Sequence, residues 1–177
     1  GITLPTPAGL TPAEVVPALG GIVSSLVLPG PDGAPRECLF RHPWFWDRAT
    51  PETRGGIPLL FPVCGRLRQD NTPGLYHVQG RPFLLPIHGF AMRQAWNVMD
   101  TRRPDELRLQ RTDSEATRAV YPFAFVLELH FAVAPGALTC RFTVHNPGPE
   151  PLPYAAGFHP YLATPPAGGG KKQTFFD

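Results

Sequence analysis

The chain has no apolar run approaching the roughly 20 residues of a membrane helix, so no helical membrane span is expected. A surplus of one charge is missing too. Its 16 Lys and Arg against 14 Asp and Glu leave +2, and no basic tract stands out. Binding to nucleic acid or to an anionic membrane surface is therefore not expected. Cysteine is scarce and odd in number: Cys38, Cys64 and Cys140 show no paired metal spacing, and two sit inside apolar runs. That usage fits a reduced, cytoplasmic protein with buried thiols. The first residues lack the basic, apolar and small-residue order of a signal peptide, so none is expected. No His-x-His pair occurs, which argues against a metal-dependent barrel of the cupin kind.

Proline is abundant, at 24 of 177 residues, and with 18 glycines it leaves little room for uninterrupted helix. The expectation is one all-β domain over residues 1–177, with many short strands joined by turns as an antiparallel β-sandwich. The clearest element is an antiparallel hairpin. Phe125, Leu127, Leu129, Phe131 and Val133 alternate with Val126, Glu128, His130 and Ala132. After Pro135-Gly136, Leu138, Cys140, Phe142 and Val144 alternate with Thr139, Arg141, Thr143 and His145. Shorter strands are expected over Ile22–Leu28, Ile57–Val63, Leu75–Gln79, Phe83–Leu85, Ala95–Asp100 and Glu106–Arg111. One helix is expected over Ser114–Val120, capped at Thr112, Asp113 or Ser114 and ended by Tyr121-Pro122. Pro165–Lys172 reads as a mobile loop or junction, and only five residues follow it. A sandwich with its best hairpin at 125–145 is expected to continue, so a C-terminal portion is expected to be missing.

Six histidines are available for chemistry. His130 and His145 fall on the polar faces of the hairpin strands, where solvated surface is expected, and His77 lies mid-strand. His42 lies in Arg41-His-Pro-Trp-Phe-Trp-Asp47, whose aromatics form either core or a platform for a sugar ring, with Trp46 the substrate-facing candidate. His88 and His159 differ, because each stands at a strand end beside glycine and proline, where a constrained backbone can aim a side chain into a cavity. A turn histidine bonding its own loop is the plainer alternative, but two such settings in one chain favour a shared site for a small polar ligand such as a sugar. Arg54 before Gly55-Gly56, and Arg66 after Gly65, add guanidinium forks suited to hydroxyl or phosphate groups; two solvated arginines are the alternative.

Five segments occur in order across residues 54–162: Arg54-Gly-Gly-Ile-Pro-Leu-Leu-Phe-Pro62, His88-Gly-Phe-Ala91 followed by Trp96, Tyr121-Pro-Phe-Ala-Phe125, Asn146-Pro147, and Ala156-Gly-Phe-His-Pro-Tyr161. Together they resemble the aldose 1-epimerase (galactose mutarotase-like) superfamily, and most closely its hexose-6-phosphate 1-epimerase branch. The resemblance implies a large β-sandwich and an isomerase that interconverts the α and β anomers of a hexose or hexose phosphate without metal or organic cofactor. A carbohydrate-binding or sensing protein of the same fold is the alternative. The resemblance makes His159 the general acid and His88 the partner of the ring oxygen or a neighbouring hydroxyl, with Arg54, Arg66 and Arg93 positioning the substrate. The expected partner is a small sugar or sugar phosphate, with the protein a monomer or homodimer. Two departures stand out. The family has arginine where this chain has Met92, and Arg93 is displaced by one, which on a strand would turn it to the other face. Arg54, Arg66 and Arg68 are the expected substitutes for a phosphate contact. The family's general base is a glutamate well downstream of Gly-Phe-His, whereas Asp177 is the only acidic residue after His159, so the base is expected beyond residue 177.

Overall fold

The fold follows from short apolar alternations broken by proline and glycine. A computed structural model describes residues 1–6, 12–47, 49, 54–100 and 103–164. The expected 165–172 loop and Asp177 lie outside them. The first sheet is antiparallel, in the order β1 (Ile2–Leu4), β2 (Ala13–Val16), β3 (Ile22–Pro29) and β4 (Pro35–Glu37). Of these only β3 was expected, because β1 and β2 are too short to show a pattern. The middle of the chain holds β5 (Leu59–Leu60) and two small hairpins. One is β6 (Arg68–Gln69) with β7 (Thr72–Pro73), and the other is β8 (Leu75–Val78) with β9 (Arg81–Leu84). The expected strand over 57–63 shrinks to β5 with isolated bridges at Ile57 and Phe61, since Pro58 and Pro62 have no N–H to give a ladder.

The second sheet is antiparallel in the order β10 (Asn97–Met99), β11 (Glu106–Thr112), β12 (Val126–Ala134) and β13 (Ala137–His145). Between β11 and β12 lies α1 (Glu115–Val120). Ser114 caps it in a reciprocal box with Thr117, which satisfies two otherwise orphaned N–H groups at so short a helix's start. The hairpin forms in the expected register, from Val126 opposite His145 to Ala134 opposite Ala137. Phe125, Leu127, Leu129, Phe131 and Val133 are buried, and on the opposite face His130 pairs with Glu106 at 3.2 Å and His145 with Glu128 at 3.5 Å.

One apolar cluster spans both sheets: Leu4, Val15 and Val23 from the first, Leu109, Leu127, Leu129 and Phe131 from the second, with Leu59, Phe61, Phe90 and Trp96. Phe61 is fully buried, and its ring lies 5.5–6.0 Å from those of Phe90, Tyr121, Phe125, Phe142 and Tyr154. Among the described residues no helix is long and apolar enough to cross a membrane. The last strand, β14 (Gly157–Phe158), pairs antiparallel with β5, 98 residues away in sequence, and this pairing builds the site.

Candidate active site

Along the β5–β14 pairing the chain runs antiparallel beyond the two short strands. Ala155 N–H donates to Pro62 O (2.8 Å), His159 N–H to Pro58 O (3.0 Å) and Tyr161 N–H to Gly56 O (2.9 Å). Opposed residues of such a ladder share a face, and neighbours alternate. Leu59 and Phe61 therefore enter the core, while Pro58, Leu60, His159 and Tyr161 face a cleft on the other side. The Gly55-Gly56 pair lets this ladder lie against two other backbones. A Cβ on Gly56 (φ +64°) would come within 2.4 Å of Val23 O, and one on Gly55 within 2.7 Å of Phe40 O. Arg54 enters the cleft from just before that pair.

The opposite wall is the turn Pro86-Ile87-His88-Gly89, closed by Gly89 N–H to Pro86 O at 3.0 Å. His88 occupies its third position with φ +65°, the sign that a type II turn demands and that normally selects glycine or asparagine. Two hydrogen bonds hold it there. His88 N–H donates to Gly65 O (3.0 Å), and the ring Nδ1 lies 2.7 Å from Cys64 O. A carbonyl oxygen only accepts, so Nδ1 carries the hydrogen and the neutral ring leaves Nε2 as its acceptor.

The cleft has a volume of about 400 Å³ and is lined by Arg54, Pro58, Leu60, Arg66, Ile87, His88, Met92, Arg93, His159 and Tyr161. This is within the size range of small-molecule sites. The His88 and His159 rings are 5.8 Å apart, and Tyr161 backs His159 at 4.8 Å. Three arginines and two histidines share the lining with no acidic residue among the described ones, so the cleft favours an anionic or hydroxyl-rich ligand. Among the described residues no group of three His, Cys, Asp or Glu is arranged to hold a metal ion.

The structure thus brings together His88, His159, Arg54, Arg66 and Arg93. Trp46 stays outside the lining; it is 53% exposed and packs edge-on against the buried Phe45. Arg68 lies in β6 and is also outside it. The expectation for Arg93 needs correction, because residues 91–93 form a 3₁₀ turn, not a strand. One step around such a turn is about a third of a revolution, so both Met92 and Arg93 reach the cleft. Sequence reasoning missed Tyr161, although its place two residues from His159 puts it on the same face of an extended segment.

The family model described as aldose 1-epimerase matches residues 10–174. The chromosomal protein LacX of Lactococcus lactis subsp. lactis is 26% identical over 136 residues, 75% of this chain and 44% of LacX. A protein of Escherichia coli (strain K12) named "Putative glucose-6-phosphate 1-epimerase" is 29% identical over 98 residues, 54% of this chain and 28% of that protein. Among solved structures, the Slr1438 protein of Synechocystis sp. PCC 6803 superposes with a TM-score of 0.79 at 29% identity, over 90% of this chain and 53% of that one. A galactose mutarotase related enzyme of Lactobacillus acidophilus gives 0.77 at 25% identity, over 96% and 52%. The chain spans about half the length of LacX and of the two solved structures, and 28% of the Escherichia coli protein.

Proposed function

The chain belongs to the aldose 1-epimerase family, and from that premise we propose that its cleft binds a hexose or hexose phosphate and exchanges the anomers at C1 in the cytoplasm. The observation that carries the reading is the pair of histidine rings 5.8 Å apart in a cleft with Arg54, Arg66 and Arg93. Anomer exchange needs a proton delivered to the ring oxygen while another leaves the C1 hydroxyl. The ring then opens, the C1–C2 bond rotates, and closure reverses both transfers. Imidazole gives and regains protons near neutrality, so His159 serves as the general acid at the ring oxygen.

His88 acts through Nε2. As a neutral ring it accepts from a sugar hydroxyl, and as a cation it donates toward the ring oxygen and supports developing charge there. Arg54 and Arg66 orient the sugar, and their charge favours a phosphorylated one. Among the described residues no carboxylate lines the cleft, and the family resemblance assigns the base that takes the C1 hydroxyl proton to a glutamate downstream of His159. The arginine-lined cleft also suits a second reading, a carbohydrate-binding protein of this fold.

Exchange of α- and β-glucose, galactose and glucose 6-phosphate, followed by polarimetry or NMR, tests both. Catalysis of at least one, lowered about 10²- to 10⁴-fold in kcat by His159→Ala, is the expected result. Tight binding of a sugar without acceleration selects the binding protein. If no sugar is accelerated and His159→Ala leaves sugar binding unchanged, the enzymatic reading fails.

A further inference from the structure

We propose that Arg93 is the positioning residue of His88, locking the turn that aims this histidine into the cleft; the proposal rests on the sugar-site reading above. Arg93 starts from a fixed point. Its 3₁₀ turn is held by Trp96 Nε1–H to Ala91 O (3.2 Å), by Gly20 N–H to Gln94 O (2.9 Å), and by Phe90 and Ala91 N–H to Phe61 O (3.0 and 3.3 Å). Gly20 lies so close that a Cβ there would come within 2.2 Å of Met92 O. From that anchor the guanidinium reaches back along the chain. Nη1 donates to Gly89 O at 3.1 Å and to Ile87 O at 3.4 Å, the carbonyls on either side of His88.

The Ile87 carbonyl decides the conformation of the turn, and the Gly89 carbonyl anchors the guanidinium beside it. A residue at the third position of a turn carries positive φ in type II and negative φ in type I. The two forms interconvert by flipping the central peptide, which here is the one between Ile87 and His88. For any residue but glycine the positive-φ form is the strained one, so without restraint the turn drifts toward type I. Both ends of that peptide are pinned. Gly65 O takes the His88 N–H at 3.0 Å, and Arg93 takes the Ile87 carbonyl. The Arg93 contact is long at 3.4 Å, but it carries charge and sits on the carbonyl that must swing away in a flip. Arg93 therefore holds the strained backbone of His88 and, through it, the direction of Nε2.

The experiment separates this role from a phosphate contact and from failure of the function itself. Anomer exchange of glucose and of glucose 6-phosphate is measured for the full chain and for Arg93→Gln, Arg93→Lys, His88→Ala and the His88→Ala, Arg93→Gln double variant. The expected result is a kcat about tenfold lower in Arg93→Gln for both sugars, with KM within about twofold. Arg93→Lys, which keeps a cationic donor, recovers part of that loss. In the His88→Ala background, Arg93→Gln costs less than about twofold more, because the residue it serves is gone. A loss confined to glucose 6-phosphate and seen in KM, or one that persists in full without His88, overturns the proposal. NMR of the His88 ring nitrogens in ¹⁵N-labelled protein adds a readout that needs no turnover. Wild type is expected to show protonated Nδ1 and acceptor Nε2, and Arg93→Gln a tautomer mixture. Unchanged ring signals overturn the clamp even if no sugar is turned over.

Discussion

Gly89→Ala tests the geometry that places His88 next to the core. Gly89 has φ +72°, and a Cβ built on it would lie 2.1 Å from Phe61 O and 2.5 Å from Phe61 C. Both are backbone atoms of a fully buried residue, so neither can move aside cheaply. The left-handed backbone alone costs an alanine about 1–2 kcal/mol. Relieving the contact means parting Phe61 O from the N–H groups of Phe90 (3.0 Å) and Ala91 (3.3 Å). Each such bond is worth about 1 kcal/mol. The sum is about 3–4 kcal/mol, or roughly 10 °C in Tm for a chain of this size. Gly80→Ala is the control, since Gly80 has φ +77° and nothing within 4 Å of its would-be Cβ, leaving only the backbone cost. Urea unfolding of both variants, read as the midpoint shift at constant m, measures the difference. If Gly89→Ala destabilises no more than Gly80→Ala, the close approach of the His88 turn to Phe61 is wrong, and the derived position of Nε2 falls with it.

Two further predictions concern ligand charge and alkaline pH. Arg66→Gln is expected to raise the Kd for glucose 6-phosphate about tenfold and that for glucose less than about twofold, by calorimetry; equal losses would remove the phosphate from the reading. Burial pushes the Cys140 thiol from 9.0 to about 11 and the Tyr76 phenol from 10.0 to about 12. The unfolded chain thus loses these protons first, and stability, complete below pH 9, should fall through pH 9–12. Cys140→Ala should flatten the pH 9–11 part of the urea-midpoint curve, and an unchanged slope there would refute the assignment.

What the sequence made legible was local. The 125–145 hairpin could be read because its strands are neighbours, its turn is Pro-Gly, and its alternation runs nine residues a side. The helix was legible from Ser114 and Pro122, which end it at both sides. The site came through a different route: β5 and β14 have two residues each, too few for any periodicity, and it was the matching glycine-proline settings of His88 and His159, with the resemblance of the motifs around them, that joined the two. The left-handed turn at His88 could not be foreseen, because nothing in a histidine announces positive φ. Arg93 was misjudged for a related reason, since a strand was assumed where the backbone curls. Prolines explain the rest. Pro58 and Pro62 cut the expected 57–63 strand down to β5, yet their carbonyls receive the N–H groups of His159 and Ala155. At both places the hydrogen bond runs one way, because a proline opposite can accept and never donate. Beyond them Tyr161 N–H reaches Gly56 O and Phe40 N–H reaches Tyr161 O, so the segment carrying His159 is tied to two separate stretches of chain rather than to one continuous sheet. Its position therefore depends on partners far away in the chain, which periodicity alone does not reveal.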